Sequence, residues 1–125
     1  MVRSVADRLQ DILDAAEAAL RIVSGLDPAA IDRLPLDDDI RFRALENALS
    51  EMGEAINALP RDLLARYPQI DWPGFVGLRN IIAHQYHRLD PTMIRRSAIT
   101  DLPQRIRTVT EMRASLRDAA SDGAS

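Results

Sequence analysis

The chain contains no cysteine, which excludes disulfides, thiolate nucleophiles and cysteine-ligated zinc. It contains no lysine either, since all sixteen basic residues are arginine. That removes Schiff-base chemistry and the lysine of a phosphate-binding loop. The five glycines, at positions 25, 53, 74, 77 and 123, make no glycine-rich nucleotide loop. Long hydrophobic runs are missing as well: no stretch approaches the roughly 18 apolar residues that a membrane-spanning helix needs. The sequence opens Met1-Val2-Arg3-Ser4 and enters an amphipathic pattern at once, so no secretory signal is read and a cytoplasmic protein is expected. The net charge of −3 is not that of a general nucleic-acid binder, whose surface is usually basic, but it leaves room for a local arginine-lined cleft.

What is present is ordinary for a globular protein. At 125 residues a single domain spanning 1–125 is expected, burying roughly two thirds of its unfolded surface in one core. Helix-period patterning accounts for nearly all of it, and no run of β-branched alternation suggests a strand. Ser4, with Asp7 three residues on, is a capping box for a first helix whose stripe is Val5, Leu9, Ile12, Leu13, Ala16, Leu20 and Val23. Ser24-Gly25 ends it. Asp27-Pro28 starts a short turn.

The acidic run Asp37-Asp38-Asp39 complements the dipole at the start of a second long helix, a reading preferred to a metal site. Ile40, Ala44, Leu45, Ala48, Met52, Ala55, Ile56 and Leu59 are expected inward, with Pro60 as the stop. A short helix through Asp62–Tyr67 follows. Asp71 then caps a third main helix running to about Tyr86, and Asp90-Pro91 begins a last helical stretch reaching about Ala119. Pro103 either kinks that stretch or divides it. Residues 120–125 read as a frayed tail. The fold class is all-α, an antiparallel four-helix bundle with short additional helices.

Both histidines of the chain lie in the third helix, in Gly74-Phe-Val-Gly-Leu-Arg-Asn-Ile-Ile-Ala-His-Gln-Tyr-His87. At about 100° per residue, Phe75, Leu78, Ile81, Ile82 and Tyr86 share one arc that faces the core. Arg79, His87, Asn80, His84 and Gly77 occupy the other side, spread over roughly 160°. One reading is a solvated helix face with histidines favoured by the C-terminal dipole. The other is a phosphate site, in which arginine forks onto phosphate oxygens and histidine moves a proton near neutral pH. Gly77 then leaves room for a substrate or another backbone. Arg79 and His84 are separated by about 140° around an ideal helix, so the arginine reaches round, the helix distorts, or a two-fold dimer sets two copies of this face across a cleft, the last being favoured.

Arg79-Asn80-Ile81-Ile82-Ala83-His84-Gln85-Tyr86 resembles the Arg–four residues–His–any–Tyr signature of the HepT-like toxins among the HEPN-domain ribonucleases. The surroundings agree: Glu51-Met-Gly-Glu-Ala55, Ala58-Leu-Pro60, Tyr67-Pro-Gln-Ile-Asp-Trp-Pro73, His87-Arg-Leu-Asp90 and Asp101-Leu-Pro103. The similarity is weakest over residues 24–39 and the tail. The resemblance implies a HEPN-type bundle, a homodimer, and metal-independent RNA cleavage by the 2′-hydroxyl. It implies that Arg79 and His84 are catalytic, holding the phosphate and transferring protons, and that Asn80 supports them. It further implies a toxin whose partner, a minimal nucleotidyltransferase antitoxin, transfers AMP to Tyr86. No cofactor is expected.

Other features carry less. His84-x-x-His87 lacks the further ligands of a metal site, and Glu51 and Glu54 lack the Glu-x-x-His partners of a di-metal bundle. Arg95-Arg96 extends a phosphate track or is a surface pair. Trp72 reads as a core plug, and Met52 and Met93 as core filler. The alternative to a toxin ribonuclease is a non-catalytic nucleotide-binding subunit of a nucleotidyltransferase complex. A helical bundle without a ligand comes third.

Overall fold

The computed structural model describes residues 3–77 and 100–124. Among them there is no strand. The chain is an all-α bundle of HEPN type whose described long helices are α1 (Val5–Val23), α4 (Asp39–Asn57) and α6 (Leu102–Ala124). Between α1 and α4 lie the short helices α2 (Pro28–Asp32) and α3 (Leu34–Asp37), and α5 (Arg61–Ala65) follows α4.

Each start is set by a local signal. Ser4 Oγ accepts from the Asp7 amide at 3.1 Å while the Asp7 carboxylate accepts from the Ser4 amide at 3.3 Å, the reciprocal box read from sequence. These bonds hold the Asp7 carboxyl below its ordinary value, the Ser4 amide contributing most. Asp27 caps α2 through the Ala30 amide, and Asp38 caps α4 through the Arg41 amide. The acidic run therefore opens a helix, as its position suggests. Gly25, just beyond α1, has φ +80°, a left-handed conformation that favours glycine.

α1 lies along α4, and α6 packs against α1. The α1 stripe is buried at Leu9, Ile12, Leu13, Ala16 and Val23, with Val5 and Leu20 at its edges. Ala15 and Ala19 are buried too. Their small side chains widen the stripe and admit a close neighbour.

On α4 the inward face differs from the expected one. Leu45, Ala48, Met52, Ala55 and Ile56 are buried as expected, followed by Leu59, but Ile40 is 82% exposed and Ala44 is exposed. Phe42, Glu46 and Leu49 are buried instead. The arc centres between Leu45 and Leu49, and about 100° per residue puts Ile40 about 160° from that centre. Hydrophobicity alone placed Ile40 inside; helical phase places it outside. Pro103 sits in the first turn of α6, where its missing N–H costs nothing. Residues 91–99, on which the choice between kink and division turns, lie outside the described residues. No helix among the described residues is long and apolar enough to cross a membrane.

Candidate functional site

Residues 72–77 are helical and immediately precede the segment of the sequence motif. Asp71 caps this start: its Oδ1 accepts from the Gly74 amide at 3.0 Å. A Cβ at position 74 would press on that carboxylate, which would have to shift to keep the cap. Arg79, Asn80, His84 and Tyr86 lie outside the described residues, as do His87, Met93, Arg95 and Arg96. The structure thus describes the platform from which the motif segment departs, and the helix that backs it.

That platform is fixed from two sides. The Trp72 indole is buried, and its Nε1 donates to the carbonyls of Leu64 and Tyr67, each at 3.1 Å. These bonds tie the platform to α5 and the turn after it. Phe75, three residues on, is 2% exposed, and the Arg105 guanidinium of α6 lies 4.0 Å from its ring centre. Gln104 adds a 3.5 Å bond from its amide to the Gln69 carbonyl.

Arg105 was not singled out in the sequence. It is buried, 3.7 Å from an Asp101 carboxylate oxygen, and its Nε and Nη1 have no hydrogen-bond partner. Burial lowers its pKa, with Asp101 and Asp71 acting in the opposite sense. Glu46 on α4 is a second buried ionisable group that the sequence reading passed over. Its Oε2 has no hydrogen-bond partner, and burial pushes its carboxyl up to about 6, against the lowering effect of Arg43. Both carry a legible signal: each is a charge on an apolar stripe. Arg105 falls between Leu102 and Val109–Met112, and Glu46 between Phe42 and Leu49.

On the other side of the platform helix is a cavity of about 470 Å³. Its inner walls are Ile56, Leu59, Leu64, Trp72 and Val76, and Gly77 lies at one end. Among the described residues Asn57 and Arg61 are its polar side chains. A Cβ at Gly77 would meet nothing within 4 Å, in keeping with the open space expected there. Glu51, by contrast, is an exposed surface group that accepts from the Asn47 amide at 3.0 Å. Among the described residues no group of three or more histidine, aspartate or glutamate side chains is placed to hold a metal.

Residues 12–112 match the family model described as Ribonuclease HepT-like. The chain belongs to the HepT-like ribonuclease family. The match covers α1 from its second turn, the whole platform and the motif, and α6 as far as Met112. Among curated proteins, a candidate RNase of Methanocaldococcus jannaschii is 31% identical over 77 residues, 62% of this chain and 64% of that one. A second candidate RNase from that archaeon is 29% identical over 82% of this chain and 90% of its own length. The probable ribonuclease HepT of Thermococcus cleftensis is 27% identical, with coverage of 82% and 90%. The chain therefore spans less than two thirds of the first of these relatives and most of the other two. No solved structure matches it.

Proposed function

We propose that this HepT-like protein is the toxin of a toxin–antitoxin pair, a metal-independent RNA endonuclease that works as a homodimer in the cytoplasm. One observation carries the reading: the intact Arg79-x4-His84-x-Tyr86 motif falls inside the segment that matches the ribonuclease family. In this reading residues 1–125 act as one helical domain. Arg79 holds the scissile phosphate and stabilises the charge that builds on its oxygens. His84 transfers protons as the RNA 2′-oxygen attacks phosphorus and the bond to the 5′-oxygen breaks. The 2′-hydroxyl proton leaves with the base, and the departing 5′-oxygen gains one. Asn80 supports the two by hydrogen bonding. The homodimer supplies what one helix cannot, two copies of the face across a single cleft.

Tyr86 is where a minimal nucleotidyltransferase antitoxin adds AMP. On a continuous helix Tyr86 lies about 10 Å along the axis from Arg79 and on nearly the same side. Added phosphate there brings negative charge to the arginine and obstructs RNA.

The test is RNA cleavage by the purified protein in excess EDTA, alongside Arg79→Ala and His84→Ala, with the intact mass of each protein recorded. Cleavage by unmodified wild type that both substitutions abolish is the expected result. A protein of unmodified mass that cuts none of several RNA classes would sink the reading. It would favour the non-catalytic nucleotide-binding subunit instead.

A further inference from the structure

The cavity beside the platform helix has a composition that the catalytic reading does not use. Among the described residues its walls are apolar and its polar side chains are one carboxamide, Asn57, and one guanidinium, Arg61. No carboxylate among the described residues lines it. Its mouth residues Asn57, Arg61 and Ala65 are exposed, whereas Trp72 at its inner wall is buried. The two bonds from the Trp72 indole to backbone carbonyls hold that wall in place. A space of this size, mostly apolar with a few fixed polar groups, is the usual form of a small-molecule or cofactor pocket.

Its position narrows the occupant. Trp72, Pro73, Val76 and Gly77 give it one face of the platform helix. At about 100° per residue that face spans about 140° and, if continued, holds Asn80 and His84. Gly77 stands only two residues before Arg79. Phe75, which meets Arg105, is outside the cavity. A ligand in the cavity lies against the Trp72–Gly77 face, with an arginine at the mouth and, among the described residues, no acid to repel it. A flat, apolar-faced group with polar edges and an attached anion matches those features.

We propose that this cavity is a nucleobase subsite, which takes one base of the RNA next to the phosphate at Arg79. The proposal rests on the ribonuclease reading and deepens it. The base enters between Leu64, Val76 and the Trp72 wall, Asn57 meets its hydrogen-bonding edge, and Arg61 pairs with a neighbouring phosphate. Asn57 and the cavity shape then set base preference, while Arg61 contributes affinity for any base.

Trp72 is the only tryptophan in the chain, so its fluorescence reports on the cavity wall. The experiment titrates the full-length protein with 2′-O-methyl hexanucleotides of each base, which cannot be cut through the 2′-oxygen. Tryptophan emission and the anisotropy of a 5′-fluorescein are followed together, and natural RNA is digested in parallel to map cut sites. Ala65→Phe and Gly77→Leu fill the cavity from exposed or open positions. The expected result is a change in Trp72 emission that tracks anisotropy and favours one base class. Both filling variants should weaken binding about tenfold or more and flatten base preference at the cut. Arg61→Ala should weaken all bases alike.

Anisotropy that rises without any change at Trp72, with filled variants that bind and cut as wild type does, overturns the subsite and leaves the ribonuclease intact. Absence of binding by every hexanucleotide also overturns it. Binding that reports through Trp72 in a wild-type protein that cuts no RNA upholds the subsite and removes the ribonuclease reading.

Discussion

The Arg105 guanidinium lies 4.0 Å from the centre of the Phe75 ring, joining α6 to the helical turn from which the motif departs. The charge is buried, an Asp101 carboxylate oxygen is 3.7 Å away, and two of its nitrogens lack hydrogen-bond partners. Attraction to the ring quadrupole, about 0.5–2 kcal/mol for a desolvated pair, opposes the cost of taking the charge out of water. Packing by the arginine stem is thus the main contribution of this residue.

That balance gives a sign. Arg105→Met keeps most of the volume and removes the buried charge, and Asp101, being half-exposed, remains solvated. Its stability should change by less than about 1 kcal/mol. Arg105→Ala opens a cavity beside Phe75 and should cost about 2–4 kcal/mol. Urea denaturation of the three proteins checks this. A methionine variant as unstable as the alanine variant would show that the charge itself holds α6 to the platform.

Glu46 predicts a pH dependence of stability. Its folded carboxyl is raised to about 6, above the ordinary 4.5. A raised acid favours the protonated form in the folded state, so its contribution is complete below about pH 4.5. It is lost as pH rises through about 4.5 to 6, and is flat above that. The loss is on the order of 1–2 kcal/mol, reduced by any water that reaches the group. Glu46→Gln should abolish this component, read as the difference between wild-type and variant unfolding free energies from pH 4 to 7. An unchanging difference across that range would place the carboxyl in water.

Trp72 predicts a coupling between stability and the cavity. Trp72→Phe removes the donor to Leu64 and Tyr67 and part of a buried ring. Both carbonyls keep a backbone partner, from Tyr67 and Ile70 amides respectively. The cost should therefore be moderate, about 2 kcal/mol. Thermal unfolding measures it. A neutral substitution would mean that the two indole bonds contribute nothing to holding the platform.

Most of the frame was legible because local rules agree with each other here. Ser4, Asp27, Asp38 and Asp71 all cap the helices that their positions announce. The α4 face was only partly legible, since one strongly apolar residue, Ile40, sits out of phase with the others. Leu36 is 85% exposed nearby although Leu34 is buried, so apolar character alone does not set burial here. Arg105 and Glu46 escaped because composition places arginine and glutamate outside, and only their register on a stripe says otherwise. In the candidate site, no pattern announced the cavity. Its walls come from three segments, the end of α4, α5 and the platform, which only the fold brings together.

The last prediction concerns control of the proposed enzyme. If Tyr86 accepts AMP, incubation with the cognate nucleotidyltransferase and ATP adds adenylyl mass to wild type and stops its RNA cleavage together. Pyrophosphate leaves as the tyrosine oxygen forms its bond to the α-phosphorus. Tyr86→Phe lacks that oxygen and should gain no adenylyl mass, cut RNA when free, and go on cutting after the same incubation. Intact mass and cleavage, measured on one sample before and after, read both halves. A phenylalanine variant that still gains AMP and falls silent would place the modification on another residue. One that gains no AMP yet falls silent would mean that the antitoxin inhibits by occupying the cleft.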